Sequence, residues 1–377
     1  MLQIYLYIIK NMSAQSYYTG LLADAGVFIN GPKPTDIQIH NERVFGRIAS
    51  GGFLAIGESF MDGDWDVQDL AGCFTMLLNS GMMSKIDPKT ALWLALKSKI
   101  INLQSKERSF EVGEQHYDLG NDLYEKMLGQ TMVYTSGMWE GVDNLDDAQI
   151  QKMEQLCQKM KLKPGQRILD IGCGWGSLMK YAAEHYGVSC VGLTVSVEQT
   201  EWAKASTKGL PIEYVIGDYR DYSDPEGFDH IVSVEMIEAV GPKNFRTYFE
   251  KIHEWLKPGG TFMLQSIISN DIRPKADPWI DKYIFPNGIL PSLNQISDAS
   301  RHLLIIEDIK NIGPDYDPTL MAWWNNFDAH YQELREKNEK YDERFYRMWK
   351  YYLQMCAALA RSRMMQDYQI LFSKKDQ

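Results

Sequence analysis

Long apolar runs are scarce in this 377-residue chain. The stretch at its start, MLQIYLYIIKNM, is too short to span a bilayer and has no cleavage site, which argues against a membrane span or a signal peptide there. Cysteine is also sparse. The five thiols at 73, 157, 173, 190 and 356 show no Cys-x-x-Cys spacing, which argues against a disulfide frame or a zinc site and for reduced, cytosolic thiols. Positive charge is in deficit: 39 Lys and Arg against 50 Asp and Glu leave a net charge of −11, so the surface as a whole suits nucleic acid poorly. Apolar residues (45%) and aromatics (12%) are plentiful enough for a proper core, and the length favours two domains over one.

The chain is organised around Leu162–Gly192, LKPGQRILDIGCGWGSLMKYAAEHYGVSCVG. Pro164-Gly165 marks a turn, Arg167–Ile171 reads as a buried strand, and Ser177–His185 reads as a helix closed near Gly187. Between strand and helix stand Gly172, Gly174 and Gly176. Glycines at such a corner let a ligand lie against the main chain, and the free N–H groups of the following helix suit a carboxylate or phosphate. An ordinary tight strand-to-helix connection has the same look, but the context narrows the choice. No Gly-Lys-Ser/Thr follows, so a P-loop is excluded. A dinucleotide fold wants a carboxylate at the end of the second strand; here Ser189–Leu193 ends in Thr194, and the next carboxylate is Glu198. The loop fits a class I S-adenosylmethionine (SAM) methyltransferase better than a dehydrogenase.

Around that core, residues 13–80 read as a small α+β module with an alternating strand at Asp36–His40 and glycines 51, 52, 57 and 63 as punctuation. Residues 84–108 carry six basic and two acidic side chains around an apolar run containing Trp93. This is either a basic amphipathic helix lying on an anionic membrane or a solvated helix between domains. His116, Tyr117 and Asp118 form a polar cluster ahead of a helix capped at Asn121-Asp122, and a helix runs from Leu145 to Met160. From 162 to 270, strands near Arg167–Ile171, Ser189–Leu193, Glu213–Ile216, His230–Val234 and Gly260–Ser266 alternate with helices, the rhythm of a parallel doubly wound sheet. Polar residues fall at or beyond the strand ends: Asp170, Thr194, Gln199, Asp218, Glu235, Glu238 and Gln265. The aromatic-rich residues 271–377, with a helix near 341–363, read either as core or as the wall of a tunnel for an apolar substrate that reacts through a cation.

Taken together, GESFMDGDWD, EQHYDLGND, LKPGQRILDIGCGWG, CVGLTVSVEQ, GDYRD, VGPKNF, DPWIDKYIFPNG and YDPTLMAW resemble the cyclopropane-fatty-acyl-phospholipid synthases, from about residue 20 to the end. The resemblance implies a class I methyltransferase fold (α/β, a Rossmann-like sheet) with a smaller N-terminal α+β domain. It divides the chain into a lipid-engaging module at 1–83, a basic linker helix at 84–109 and a catalytic domain at 110–377. It implies an enzyme that uses SAM to add a methylene across the cis double bond of a phospholipid acyl chain. Such an enzyme acts as a homodimer at the inner face of the cell membrane, with no nucleic acid and no metal. Residue by residue, Tyr134 and Thr135 match contacts to the methionine end of SAM, Gly172 and Gly174 its backbone contacts, Thr194 and Gln199 the ribose contacts, and Asp218 and Tyr219 the adenine flank, with Asp170 at the rim.

The resemblance also implies a bicarbonate ion that takes up the proton as the ring closes. Glu238 and Tyr316 match two of its ligands and Ile267 its main-chain contact, while Ser136 and Gln265 stand where the family has cysteine and histidine. A glutamine donates to an oxyanion but carries no charge and relays no proton. Two other readings follow from those departures: a methyltransferase of the same fold that leaves a methyl- or methylene-branched chain, and a SAM- and lipid-binding relative without catalysis.

Overall fold

The computed structural model describes residues 14–81, 120–270 and 277–375. The segment 84–109 and the His116-Tyr117-Asp118 cluster lie outside the described residues.

The N-terminal part is more helical than its glycines suggest. Helices Ala14–Asp24, Arg43–Met61 and Leu70–Asn79 surround a two-residue antiparallel ladder, β1 (Gln38–Ile39) with β2 (Trp65–Asp66), where a longer strand at Asp36–His40 is expected from alternation. Gly52 (φ 58°, ψ −139°) is non-helical and divides Arg43–Met61 into two segments across a kink, whereas Gly57 is a contact point: a Cβ there would stand 2.3 Å from Trp279 Cδ1.

Seven further strands make one sheet: β3 (Arg167–Ile171), β4 (Ser189–Thr194), β5 (Ile212–Ile216), β6 (Phe228–Val234), β7 (Leu256–Ser269), β8 (Ile305–Asn311) and β9 (Met365–Ser373). Their order is β5-β4-β3-β6-β7-β9-β8. The first five are parallel, and β9 runs antiparallel to both β7 and β8. Strands β3 and β4 are buried over almost their whole length, as parallel strands covered on both faces must be. The direction in which the chain winds across the sheet reverses between β3 and β6, and a crevice opens there at the carboxyl ends. β8 and β9 are not expected from the sequence. β8 is an exposed edge with no two-residue alternation, and β9 is recruited by nine register pairs along the long β7.

The helix Leu145–Met160 starts where Asn144 accepts from the Asp147 N–H (2.9 Å), with Asp146 and Asp147 complementing the helix dipole. The helix Asn121–Leu128 instead begins at Gly120 (φ 100°) without a side-chain cap. Asn121 and Asp122 are used elsewhere, accepting from Trp175 Nε1 (3.0 Å) and the Tyr341 hydroxyl (2.8 Å).

The aromatic residues of 271–377 are mostly core. Trp279, Trp323, Trp349, Tyr341, Tyr351 and Tyr352 are buried in one cluster that also contains Phe60 and Trp65 from the N-terminal part. The helix Glu343–Arg361 joins the two parts. Arg347 donates to the carbonyls of Phe60 (2.5 Å) and Trp65 (2.9 Å) and to Asp66 (2.9 Å), and its guanidinium lies 4.4 Å from the Phe60 ring centroid. Because Gly57 touches Trp279 directly, Gly57→Val should overpack this junction and lower the unfolding free energy by about 1–3 kcal/mol, read by chemical denaturation.

Candidate functional site

A cavity of about 250 Å³ lies at the carboxyl ends of β3, β4 and β6. All nine residues matched to SAM line it: Tyr134, Thr135, Asp170, Gly172, Gly174, Thr194, Gln199, Asp218 and Tyr219. The glycine loop is shaped for a close-lying ligand. Gly172 (φ 84°) donates to the Leu193 carbonyl (2.8 Å), and Gly174 (φ 53°) faces open space, with no atom within 4 Å of where a Cβ would stand. Ser196 caps the helix Val197–Ser206 by accepting from the Gln199 N–H (3.3 Å), which fixes Gln199 at the rim. Asp218 is gripped by the guanidinium of Arg220, with Nε–Oδ1 at 2.7 Å and Nη2–Oδ2 at 2.5 Å. Asp170 at the end of β3 is buried, and burial alone pushes its carboxyl up to about 7. A carboxyl held this way without charge compensation is characteristic of a site that expects a polar ligand. These residues fit SAM.

The residues matched to bicarbonate form a second, drier cluster at one wall of this cavity, and they surround side chains of the protein. The Ser136 N–H (2.9 Å) and Gln265 Nε2 (3.1 Å) donate to Glu235 Oε1, and the Tyr316 hydroxyl donates to Glu235 Oε2 (2.7 Å). The Ile267 N–H (2.7 Å) and the Ser266 hydroxyl (2.8 Å) donate to Glu238 Oε1, whose Oε2 is buried without a partner among the described residues. Gln265 Nε2 also donates to Asp367 Oδ2 (2.9 Å). Ser136 contributes its main chain, and its hydroxyl turns to the Gly137 carbonyl (3.1 Å), so serine in place of cysteine leaves the contact intact. The donors implied for a bicarbonate ion are therefore engaged by Glu235 and Glu238, and the residues present do not fit a free bicarbonate at this point.

Three members of the cluster do not emerge as site residues from the sequence. Glu235, which lines the cavity, is visible there only as one of several polar strand ends. Lys152 sits on the helix Leu145–Met160, where a lysine reads as solvated, yet it is buried, with Nζ 2.5 Å from Thr135 Oγ1. Asp367 lies on the unexpected β9 and is wholly buried. Burial drives the Lys152 ammonium down to about 8 against the pull of Glu235 and Asp367. Burial, then the charge of Glu235, pushes Glu238 up to about 8; burial, then Glu235 and Glu238, pushes Asp367 well above the usual range. Burial also raises Glu235, but Lys152, Tyr316, Ser136 and Gln265 all favour its charged form. Three carboxyls facing one ammonium in a dry site cannot all ionise. Glu235, with Ser136, Gln265 and Tyr316 all donating to it, is the best supplied with donors of the three.

Fold and site together define a class I SAM-dependent methyltransferase. Residues 104–370 match the mycolic acid cyclopropane synthetase family, and the chain belongs to it. It is 46% identical over 356 residues (94% of this chain, 92% of the relative) to the cyclopropane-fatty-acyl-phospholipid synthase of Escherichia coli K12. It is 33% identical over 361 residues (90% and 83%) to the tuberculostearic acid methyltransferase UfaA1 of Mycobacterium tuberculosis. The crystal structure of the mycolic acid cyclopropane synthase CmaA1 with S-adenosylhomocysteine and CTAB covers 70% of this chain and 98% of its own, with a TM-score of 0.63 and 27% identity. The protein is thus a SAM-dependent enzyme of the cyclopropane synthase family, transferring a methylene to lipid.

The buried Asp170 gives a pH test. Its folded pKa of about 7 exceeds the 3.8 of an exposed aspartate, so its contribution to stability is complete below about 4 and is lost as pH rises through 7. Relative to wild type, Asp170→Asn should stabilise the SAM-free enzyme at pH 8 by roughly 3–4 kcal/mol more than at pH 4, measured by denaturant titration at both values. The same variant should bind SAM more weakly.

Proposed function

We propose that this enzyme builds cyclopropane rings on the cis-unsaturated acyl chains of phospholipids. The observation that carries the reading is the contact between two environments: a cavity suited to SAM and, forming one wall of it through Glu235, a buried anionic cluster. Bound SAM supplies an electrophilic methyl group on a sulfonium. Methylation of an alkene leaves a carbocation, and a fixed negative charge aimed at that position lowers the barrier to forming it. The ring closes when a base takes a proton from the transferred methyl carbon and the C–H electron pair forms the third carbon–carbon bond. Tyr134 and Thr135, which line the cavity beside Lys152, would hold the methionine end of SAM towards that charge.

The phospholipid reading draws on the Escherichia coli relative, which is named for that substrate. Among the described residues no helix is long and apolar enough to cross a membrane, and the proposal has lipid met at a surface. We assign that contact to the N-terminal module at 1–83 and the basic segment at 84–109, in a homodimer at the inner face of the membrane. A second reading, transfer without ring closure, is favoured by one observation: Gln265, where the family has histidine, cannot relay a proton. The relative UfaA1 is named a methyltransferase.

The test is incubation with SAM and liposomes of cis-unsaturated phospholipid, followed by mass spectrometry after derivatising double bonds. A ring and a methylene-branched chain share one mass, and only the branched chain is derivatised. A product inert to derivatisation is expected; a branched product would establish the second reading instead. Changing Lys97 and Lys99 together to glutamate should weaken co-sedimentation with anionic liposomes, while binding to neutral liposomes stays the same.

A further inference from the structure

We propose that Glu235 is a built-in proton acceptor: its carboxylate fills the anion cradle that relatives would offer to bicarbonate, and turnover needs no bicarbonate. The proposal rests on the ring-forming reading above and names the group that takes the proton.

Ser136, Gln265 and Tyr316 come from three separate segments: a loop before the helix Leu145–Met160, strand β7, and the first residue of the helix Tyr316–Lys337. All three donate to the two oxygens of one carboxylate, at 2.9, 3.1 and 2.7 Å. A free anion in this cradle would have to displace Glu235, which is covalently fixed there and already bonded.

Glu235 has φ 51°, a left-handed conformation that costs a non-glycine residue free energy and that glycine adopts readily. Its N–H is held by the Gln265 carbonyl at 2.8 Å, which locks the strained turn at the end of β6. Strain retained at a site wall is a reason to look for function in the side chain that causes it. Glycine at 235 would relieve the strain and leave the three donors facing an empty cradle.

Glu235 lines the SAM cavity together with Thr135 and Lys152, whereas Glu238 and Asp367 sit behind it, outside the cavity lining. The alkene π pair bonds to the methyl carbon as the carbon–sulfur bond breaks, releasing S-adenosylhomocysteine. Glu235 then takes one proton from that carbon, and the C–H pair closes the ring. The glutamic acid later returns its proton to solvent.

The experiment follows S-adenosylhomocysteine release on unsaturated phospholipid liposomes, in carbon-dioxide-free buffer under nitrogen and again with added sodium bicarbonate. Wild type should run at the same rate in both. Glu235→Gln, which keeps the volume and one acceptor oxygen but loses the charge and the basicity, should lose about 100-fold or more in kcat with SAM affinity unchanged, and bicarbonate should not restore it. Glu235→Gly should be inactive without bicarbonate and regain turnover with it, because only this variant opens the cradle. Wild type that requires bicarbonate, or Glu235→Gln with near-normal kcat, would overturn the proposal. Absence of any S-adenosylhomocysteine release from wild type in either buffer would overturn the ring-forming reading beneath it, so the two failures are distinct.

Discussion

The constraint on which the site depends is the burial of a carboxylate. Moving an ionised group out of water costs several kcal/mol even after the protein relaxes, and the loss is offset only if donors meet it in good geometry. At Glu235 the donors come from residues 136, 265 and 316, so one charge ties together three distant parts of the chain. Each of these contacts is also a statement about the fold. The Ser136 loop must close over the sheet, β7 must extend past the point where β6 ends, and the helix Tyr316–Lys337 must start against the crevice. A fold that failed on any one of them would leave a buried charge short of a partner.

The sheet explains why these demands can be met together. β6 and β7 run parallel with Val234 opposite Gln265, so Glu235, the next residue, turns out of the strand beside the glutamine. β9 runs back along β7 with Gln369 opposite Gln265 and Asp367 opposite Ile267, which brings a second carboxylate to the same amide nitrogen. Lys152 enters from the helix Leu145–Met160 and is held at Thr135, so the compensating cation reaches the cluster from the SAM side. The cofactor cavity and the anionic wall are therefore contiguous because adjacent strands end at one rim.

The cofactor half of this arrangement was legible in the sequence and the anionic half was only partly so. A glycine loop between a buried strand and a helix is a local pattern, and Arg167–Ile171 and Leu145–Met160 have the same limits in sequence pattern and in structure. Gln199 and Thr194 follow from where the second strand must stop. Lys152 and Asp367 follow from nothing local. The helix that carries Lys152 has an ordinary polar face, and only tertiary packing makes that face dry. β9 depends on pairing with a strand about a hundred residues earlier, and β8 lacks the alternation that marks a half-buried strand because it is an exposed edge. In the N-terminal part, glycine misleads for a related reason. Gly57 serves close packing against Trp279, a tertiary demand that looks like a helix break when read along the chain.

Gln265 is matched to the carboxylate it holds. A glutamine amide offers two N–H donors on one nitrogen, and here that nitrogen reaches both Glu235 (3.1 Å) and Asp367 (2.9 Å) while the amide oxygen accepts from Gln369 (3.2 Å). An imidazole has its two nitrogens on opposite sides of the ring and cannot direct two donors at carboxylates that lie together. If the anion is a diffusible ion, a titratable histidine beside it helps to bring in and settle the charge. If the anion is part of the chain, its translational freedom is already lost before catalysis, and the neighbour's task reduces to holding it in one orientation. A neutral amide does that without adding a second titration to a cluster that already contains three carboxyls and an ammonium. Glutamine at 265 is thus the residue suited to a cradle whose anion is permanent.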